Sequence, residues 1–269
     1  MKKILLTTLL STILFGATAE QVEQYLSVSN SEEQLVALEE SFGSMQNALN
    51  QETNETKNYD MQMLTLRFKE KLASELSDDE MKEVLDNYNS LIYLQFISAT
   101  AQQEEENPEA IKSYIAQLNS DETAHDRLSM IEEIGKYIYK KEYLSDYFDA
   151  LIAPLYGKSN GDQKEYESFV KNTKKGYMEM IQTEGKMQLA YALRDFSQED
   201  LEALLKVLKR PSVDHEMKAV YKAMAYALQE YFKSLASRFD PSQHQMYVPD
   251  ESPKESHSKL HKESNLSKR

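Results

Sequence analysis

The chain has 269 residues, no cysteine, no tryptophan, 28% charged residues and a formal charge of −14. Thiol chemistry and disulfide stapling are therefore excluded. The acid excess argues against nucleic acid, whose phosphates need clustered lysine or arginine, and against electrostatic attachment to anionic lipid.

Met1-Lys2-Lys3 gives a basic start, residues Ile4 to Ala17 are apolar or small, and Ala17-Thr18-Ala19 supplies a small-x-small exit. Residues 1–19 thus read as a secretory signal peptide, with a mature start at Glu20. The apolar run is shorter than the roughly 20 residues a spanning helix needs, so no stable membrane insertion is expected after cleavage. Losing Lys2 and Lys3 takes the charge from −14 to −16.

From Ser31 to Phe239 the pattern is helical. Leu35, Leu38, Phe42, Met45 and Leu49 mark the apolar face of a first helix, and the polar stretch Asn50–Asn58 reads as a loop or frayed end. A second helix is predicted from Tyr59 to Glu75, with Met63, Leu66 and Leu72 inward. Ser77-Asp78-Asp79-Glu80 has the form of a capping box. It opens a helix with Met81, Val84, Leu85, Tyr88, Leu91, Ile92 and Phe96 on one side. Asn107 is driven out of helical geometry by Pro108, which begins the next helix. Ser120 is expected to cap a helix through Leu128, Ile131, Ile134 and Ile138, and another carries Leu144, Phe148, Leu151 and Ile152.

Gly157-Lys158-Ser159-Asn160-Gly161 is the richest turn sequence and a candidate hinge between residues 20–156 and 162–239. The long helical stretch beyond it contains Gly176 and Gly185, either of which is a candidate break. Ser197-Gln198-Glu199-Asp200 repeats the cap pattern, Pro211 stops that helix, and Ser212 is positioned to cap the last one. There Met217, Val220, Met224, Leu228 and Leu235 form an apolar stripe. Residues 240–269, rich in serine and lysine with three prolines, lack the apolar content to order themselves and read as a disordered polar tail. The expectation is an all-α bundle of about eight or nine helices without a sheet.

Placing Ser77 over Ser197, an offset of 120, aligns Met81 with Leu201 and Val84-Leu85 with Leu204-Leu205. Upstream, Lys57–Met63 aligns with Lys175–Ile181 at an offset of 118. An internal duplication over about 57–92 and 175–212 follows, giving two similar helical halves. Three runs, Tyr25–Leu35, Ser77–Leu85 and Phe196–Ser212, are similar to the secreted bacterial family called domain of unknown function DUF2059. The resemblance implies a helical, exported protein of the cell envelope and no particular reaction.

Chemistry-bearing motifs are incomplete. Gly157-Lys158-Ser159 ends like a phosphate loop, but Ile152 stands where its first glycine belongs. Gly161 and Glu167 fall at calcium-loop spacing, yet Tyr156 and Lys158 occupy the ligand positions. His215-Glu216 opens a zinc-protease pattern that Ala219 leaves unfinished, so a surface histidine is expected. His125 is isolated, His257 and His261 lie in the tail, and the Met61/Met63 and Met178/Met180 pairs diverge on a helix. No catalytic, cofactor-binding or metal residue is assigned. Ser77, Glu80, Ser197 and Asp200 are assigned as structural caps.

The function expected is that of a non-enzymatic interaction or scaffold protein, exported to the periplasm or beyond and acting on an envelope partner. The alternatives are a carboxylate-based hydrolase of cell-wall glycan, which needs two carboxyl groups roughly 5–9.5 Å apart, and a holdase-like chaperone using methionine- and tyrosine-bearing faces.

Overall fold

A computed structural model describes residues 16–53, 59–101, 108–121, 124–156 and 163–236. Residues 1–15 of the signal segment, the candidate hinge at 157–161 and the tail from 240 lie outside the described residues. Among those described there are eleven α-helices and no strand. In chain order they are α1 (Ala19–Val28), α2 (Ser31–Thr53), α3 (Met63–Glu75), α4 (Asp78–Asn87), α5 (Leu91–Ala101) and α6 (Pro108–Ser120). Then come α7 (His125–Ile138), α8 (Lys141–Tyr147), α9 (Gln163–Ala192), α10 (Gln198–Leu208) and α11 (Pro211–Ala236). A π turn, Phe148–Ile152, and a 3-10 turn, Ala153–Tyr156, continue α8.

Two boundaries raise the number above that expected. α1 is a helix of its own, opened by Thr18: Gln21 N–H donates to its Oγ1 (3.2 Å) and its own N–H donates to Gln21 Oε1 (2.7 Å). Asn30, at φ 58°, then turns the chain into α2, a left-handed position that asparagine tolerates. The second boundary splits the helix expected to run from Ser77 through Phe96. The Tyr88 and Ser90 amides bond three residues back, to Leu85 and Asn87, and α5 starts afresh at Leu91.

Other expectations are corrected by competing local bonds or by packing. Helix α2 continues through Asn50 to Thr53. Ser120 ends α6, its hydroxyl bonding back to the Gln117 carbonyl (2.8 Å), while α7 starts behind Ala124 without a side-chain cap. Pro211 takes the first position of α11, which puts Ser212 inside the first turn, where it is buried. The inward stripe of α3 is Leu64, Phe68 and Leu72, so Met63 and Leu66 face water; Met45 and Leu91 are exposed as well. Neither glycine breaks α9. Gly185 instead admits the Tyr139 ring, which an added Cβ would meet at 2.6 Å.

The order of elements reads twice, from α1 to α5 and from α7 to α11, with α6 between. At an offset of 109, Val22 answers Ile131, Tyr25 answers Ile134 and Leu35 answers Leu144, all buried. At an offset of 120, Met81 and Leu201, Val84 and Leu204, Asn87 and Val207, Tyr93 and Val213 are again buried pairs. The two similar halves interlock: α4 packs on α11 and α10 packs on α5, while α3 lies along α11 and α9 touches α5. Helix α11 presents Ala219, Ala223 and Ala227, each 2% exposed or less, and small residues let helices approach closely. Of the stripe expected there, Leu228 and Leu235 are buried and Met217, Val220 and Met224 only partly so.

Candidate functional site

Both predicted caps are closed. Glu80 N–H donates to Ser77 Oγ (3.2 Å) and Ser77 N–H to Glu80 Oε2 (2.8 Å). Asp200 N–H donates to Ser197 Oγ (3.1 Å) and Ser197 N–H to Asp200 Oδ2 (2.9 Å). These bonds, from the cap backbone first and the hydroxyl second, hold both carboxyls below their ordinary range. The two sites differ in their surroundings. His215 Nδ1 stands 3.4 Å from Glu80 Oε1, tying the first cap to α11, whereas the Ser197 site faces solvent.

One turn into α11 sits the residue that the periodicity passed over. Glu216 is 3% exposed and accepts from three phenols: Tyr25 of α1 (3.1 Å), Tyr93 of α5 (3.0 Å) and Tyr88, the C-cap of α4. The rings pack edge-on, Tyr88 lying 5.1 Å from Tyr93 and 6.0 Å from Tyr25. Burial raises the Glu216 carboxyl from 4.5 to about 7, against the opposing pull of the three hydroxyl donors. The phenols are pushed well up in turn, first by burial and further by the nearby carboxyl. Beside this cluster Asn87 donates to Ser212 Oγ (2.9 Å) and accepts from Arg210 (3.2 Å), so α4 is bound twice to the start of α11.

A carboxyl titrating near neutrality meets one requirement of acid–base chemistry. Access is another matter: Tyr25, Tyr88, Tyr93 and Glu216 are each 5% exposed or less. The arrangement is a sealed polar joint between the halves. Its pseudo-equivalent is apolar, since Phe96 answers Glu216 while Ile134, Leu208 and Val213 answer the three tyrosines. One sequence signal for it existed. Glu216 falls between Val213 and Ala219 on the buried stripe, where an acid is out of place.

A second polar tie joins α7 to the end of α9. The Arg127 guanidinium donates to the carbonyls of Phe196 (2.7 Å), Arg194 (3.1 Å) and Leu193, satisfying groups that a helix end leaves open. The remaining candidates do not converge. His125 begins α7, Met61 is buried while Met63 is exposed, and His257 and His261 lie outside the described residues. Among the described residues no three histidine or acidic side chains are grouped to hold a metal ion.

The outer surface carries an open groove of about 640 Å³ between α1–α2 and α5, lined by Val28, Gln34, Ala37, Leu94, Ile97 and Ala101 among others. Leu91 beside it is 71% exposed and Leu94 39%. No known family, curated protein or solved structure matches this chain. Among the described residues no helix is long and apolar enough to cross a membrane.

Proposed function

We propose that this is a non-enzymatic protein of the bacterial cell envelope that acts by contact with a protein partner. It would be exported by residues 1–19, as the DUF2059 proteins resembled by its three sequence runs are exported. One observation carries the reading. An open groove between helices carries the exposed Leu94 on its wall, while the buried carboxyl of Glu216, raised to about 7, is sealed inside the fold. A concave surface with an exposed leucine on its wall gives a partner's apolar side chain a place to bury.

The test is affinity capture from envelope extract with the chain beginning at Glu20, followed by reconstitution with the purified candidate. A saturable complex of fixed stoichiometry is expected. Release of soluble fragments from cell-wall glycan by the purified protein, lost in Glu216→Gln, would overturn the reading in favour of catalysis.

A further inference from the structure

The groove of the first half has a smaller counterpart in the second half, where the chain's own tyrosines narrow the space. At the offsets of 109 and 120, Gln34 answers Tyr143, Leu94 answers Asp214, Ser98 answers Lys218 and Ala101 answers Tyr221. In the second half the residues at two of these positions, Tyr143 and Asp214, join α8 to α11. Tyr143 donates to Asp214 Oδ1 (2.6 Å), Lys140 pairs with the same carboxylate, and the Tyr143 and Tyr221 rings lie 5.8 Å apart. Tyr147 packs edge-on to Tyr221 at 6.1 Å. The first half has an amide, a leucine and small residues instead. The groove there is about 640 Å³, against about 340 Å³ at the tyrosine-lined counterpart.

Where the first half has Gln34 and Ala101, the second half therefore has two aromatic rings with centres 5.8 Å apart. Side chains three or four residues apart on a helix stand about 5–6 Å apart at their Cβ atoms. Among the described residues Glu33 is the charged side chain on the groove wall, and it calls for a base in the occupant. We propose that the groove between α2 and α5 is the docking site for a helix of the partner protein that presents two aromatic side chains four residues apart, with a lysine or arginine beside them. The rings would take the places that Tyr143 and Tyr221 hold in the second half, and the base would meet Glu33. This rests on the contact reading above and names the class of partner.

The probe is a peptide of residues 140–156, which carries Tyr143 and Tyr147 four apart behind Lys140 and Lys141. Titrated into the full mature chain, it should bind saturably and more weakly as salt rises. Gln34→Tyr with Ala101→Tyr restores the second half's rings and should lower the affinity at least tenfold, with unchanged helical circular dichroism. Glu33→Lys should weaken binding and remove most of the salt dependence. Should the double tyrosine variant misfold, Ala37→Phe, which narrows the same groove from α2, replaces it with the same expected loss. Absence of peptide binding, or equal binding by the filled variants, would overturn the proposal. So would a rise in peptide affinity on truncation after Phe239, which would make the chain's own tail the occupant. A dimer abolished by groove filling would overturn it too, making the occupant a second copy. If an envelope partner is still captured by the filled variants, the groove assignment fails and the contact function stands.

Discussion

Glu216 is an acid placed among alanines, and the physical cost of that placement shows in its titration. A carboxyl raised to about 7 in the fold and near 4.5 when free binds its proton more tightly in the folded state between those values. Its contribution to stability is full below about 4.5 and is lost as pH rises through about 7. The caps work the other way, because Glu80 and Asp200 are held low and their contributions fade as pH falls through the acidic range. Urea midpoints should therefore be higher near pH 5.5 than at pH 8, and Glu216→Gln should flatten that slope. Equal slopes in the two proteins would mean that Glu216 is not the titrating group. Tyr88→Phe removes one donor from the buried carboxyl and should destabilise by about 1–3 kcal/mol, measured by the same unfolding curves.

At the level of elements the caps decide where α4 and α10 begin, and their contexts separate them. The two helices are of similar length, 10 and 11 residues, so length does not rank the caps. Surroundings do: the Ser77–Glu80 pair is part-buried and touches His215, while the Ser197–Asp200 pair is exposed. Ser77→Ala and Ser197→Ala should each cost about 0.5–2 kcal/mol, with Ser77→Ala the larger loss. A reversed order in urea unfolding would show that the tie to α11 is inert. α1 poses a sharper case, since Ala17 N–H bonds to the Leu76 carbonyl (2.8 Å) and Thr18 caps the helix, both ahead of the expected cleavage point. Gly16 lies so close to Ala73 that a Cβ there would stand 2.5 Å from its carbonyl oxygen. A chain beginning at Gly16 should thus be more stable than one beginning at Glu20 by about 1–2 kcal/mol, the worth of a cap and its neighbouring bond. Identical melting midpoints would count against any role for these residues in the fold.

Over the whole molecule, α11 is the member that both halves share, packing on α3 and α4 and on α8 with its π and 3-10 continuation. Leu228 is 1% exposed near its far end. Leu228→Asp should leave a buried, unpaired carboxylate and unfold the chain partly or completely, which loss of helical circular dichroism would report. A folded variant of wild-type stability would place that face of α11 at the surface. Ala223, fully buried on the side of the close approach, should resist enlargement: Ala223→Leu is expected to cost about 1–3 kcal/mol through overpacking.

What the sequence determined by itself was the part of this protein governed by bonds that close within one turn. The all-α class came from apolar spacing, and Ser77 and Ser197 were legible because each meets a partner three residues on. Half of the duplication was legible for the same reason, being carried by those caps. Where two apolar stripes compete on one helix, as Leu64, Phe68 and Leu72 do with Met63 and Leu66, spacing could not choose, because the choice depends on where α11 lies. Only the tertiary structure brought Glu216 to tyrosines 123 to 191 residues away, and only there does an acid on α11 find three donors. The groove is decided at the same level. Gln34, Leu94 and Ala101 are ordinary in their own helices, and they come to line one groove only because the fold sets α2 beside α5.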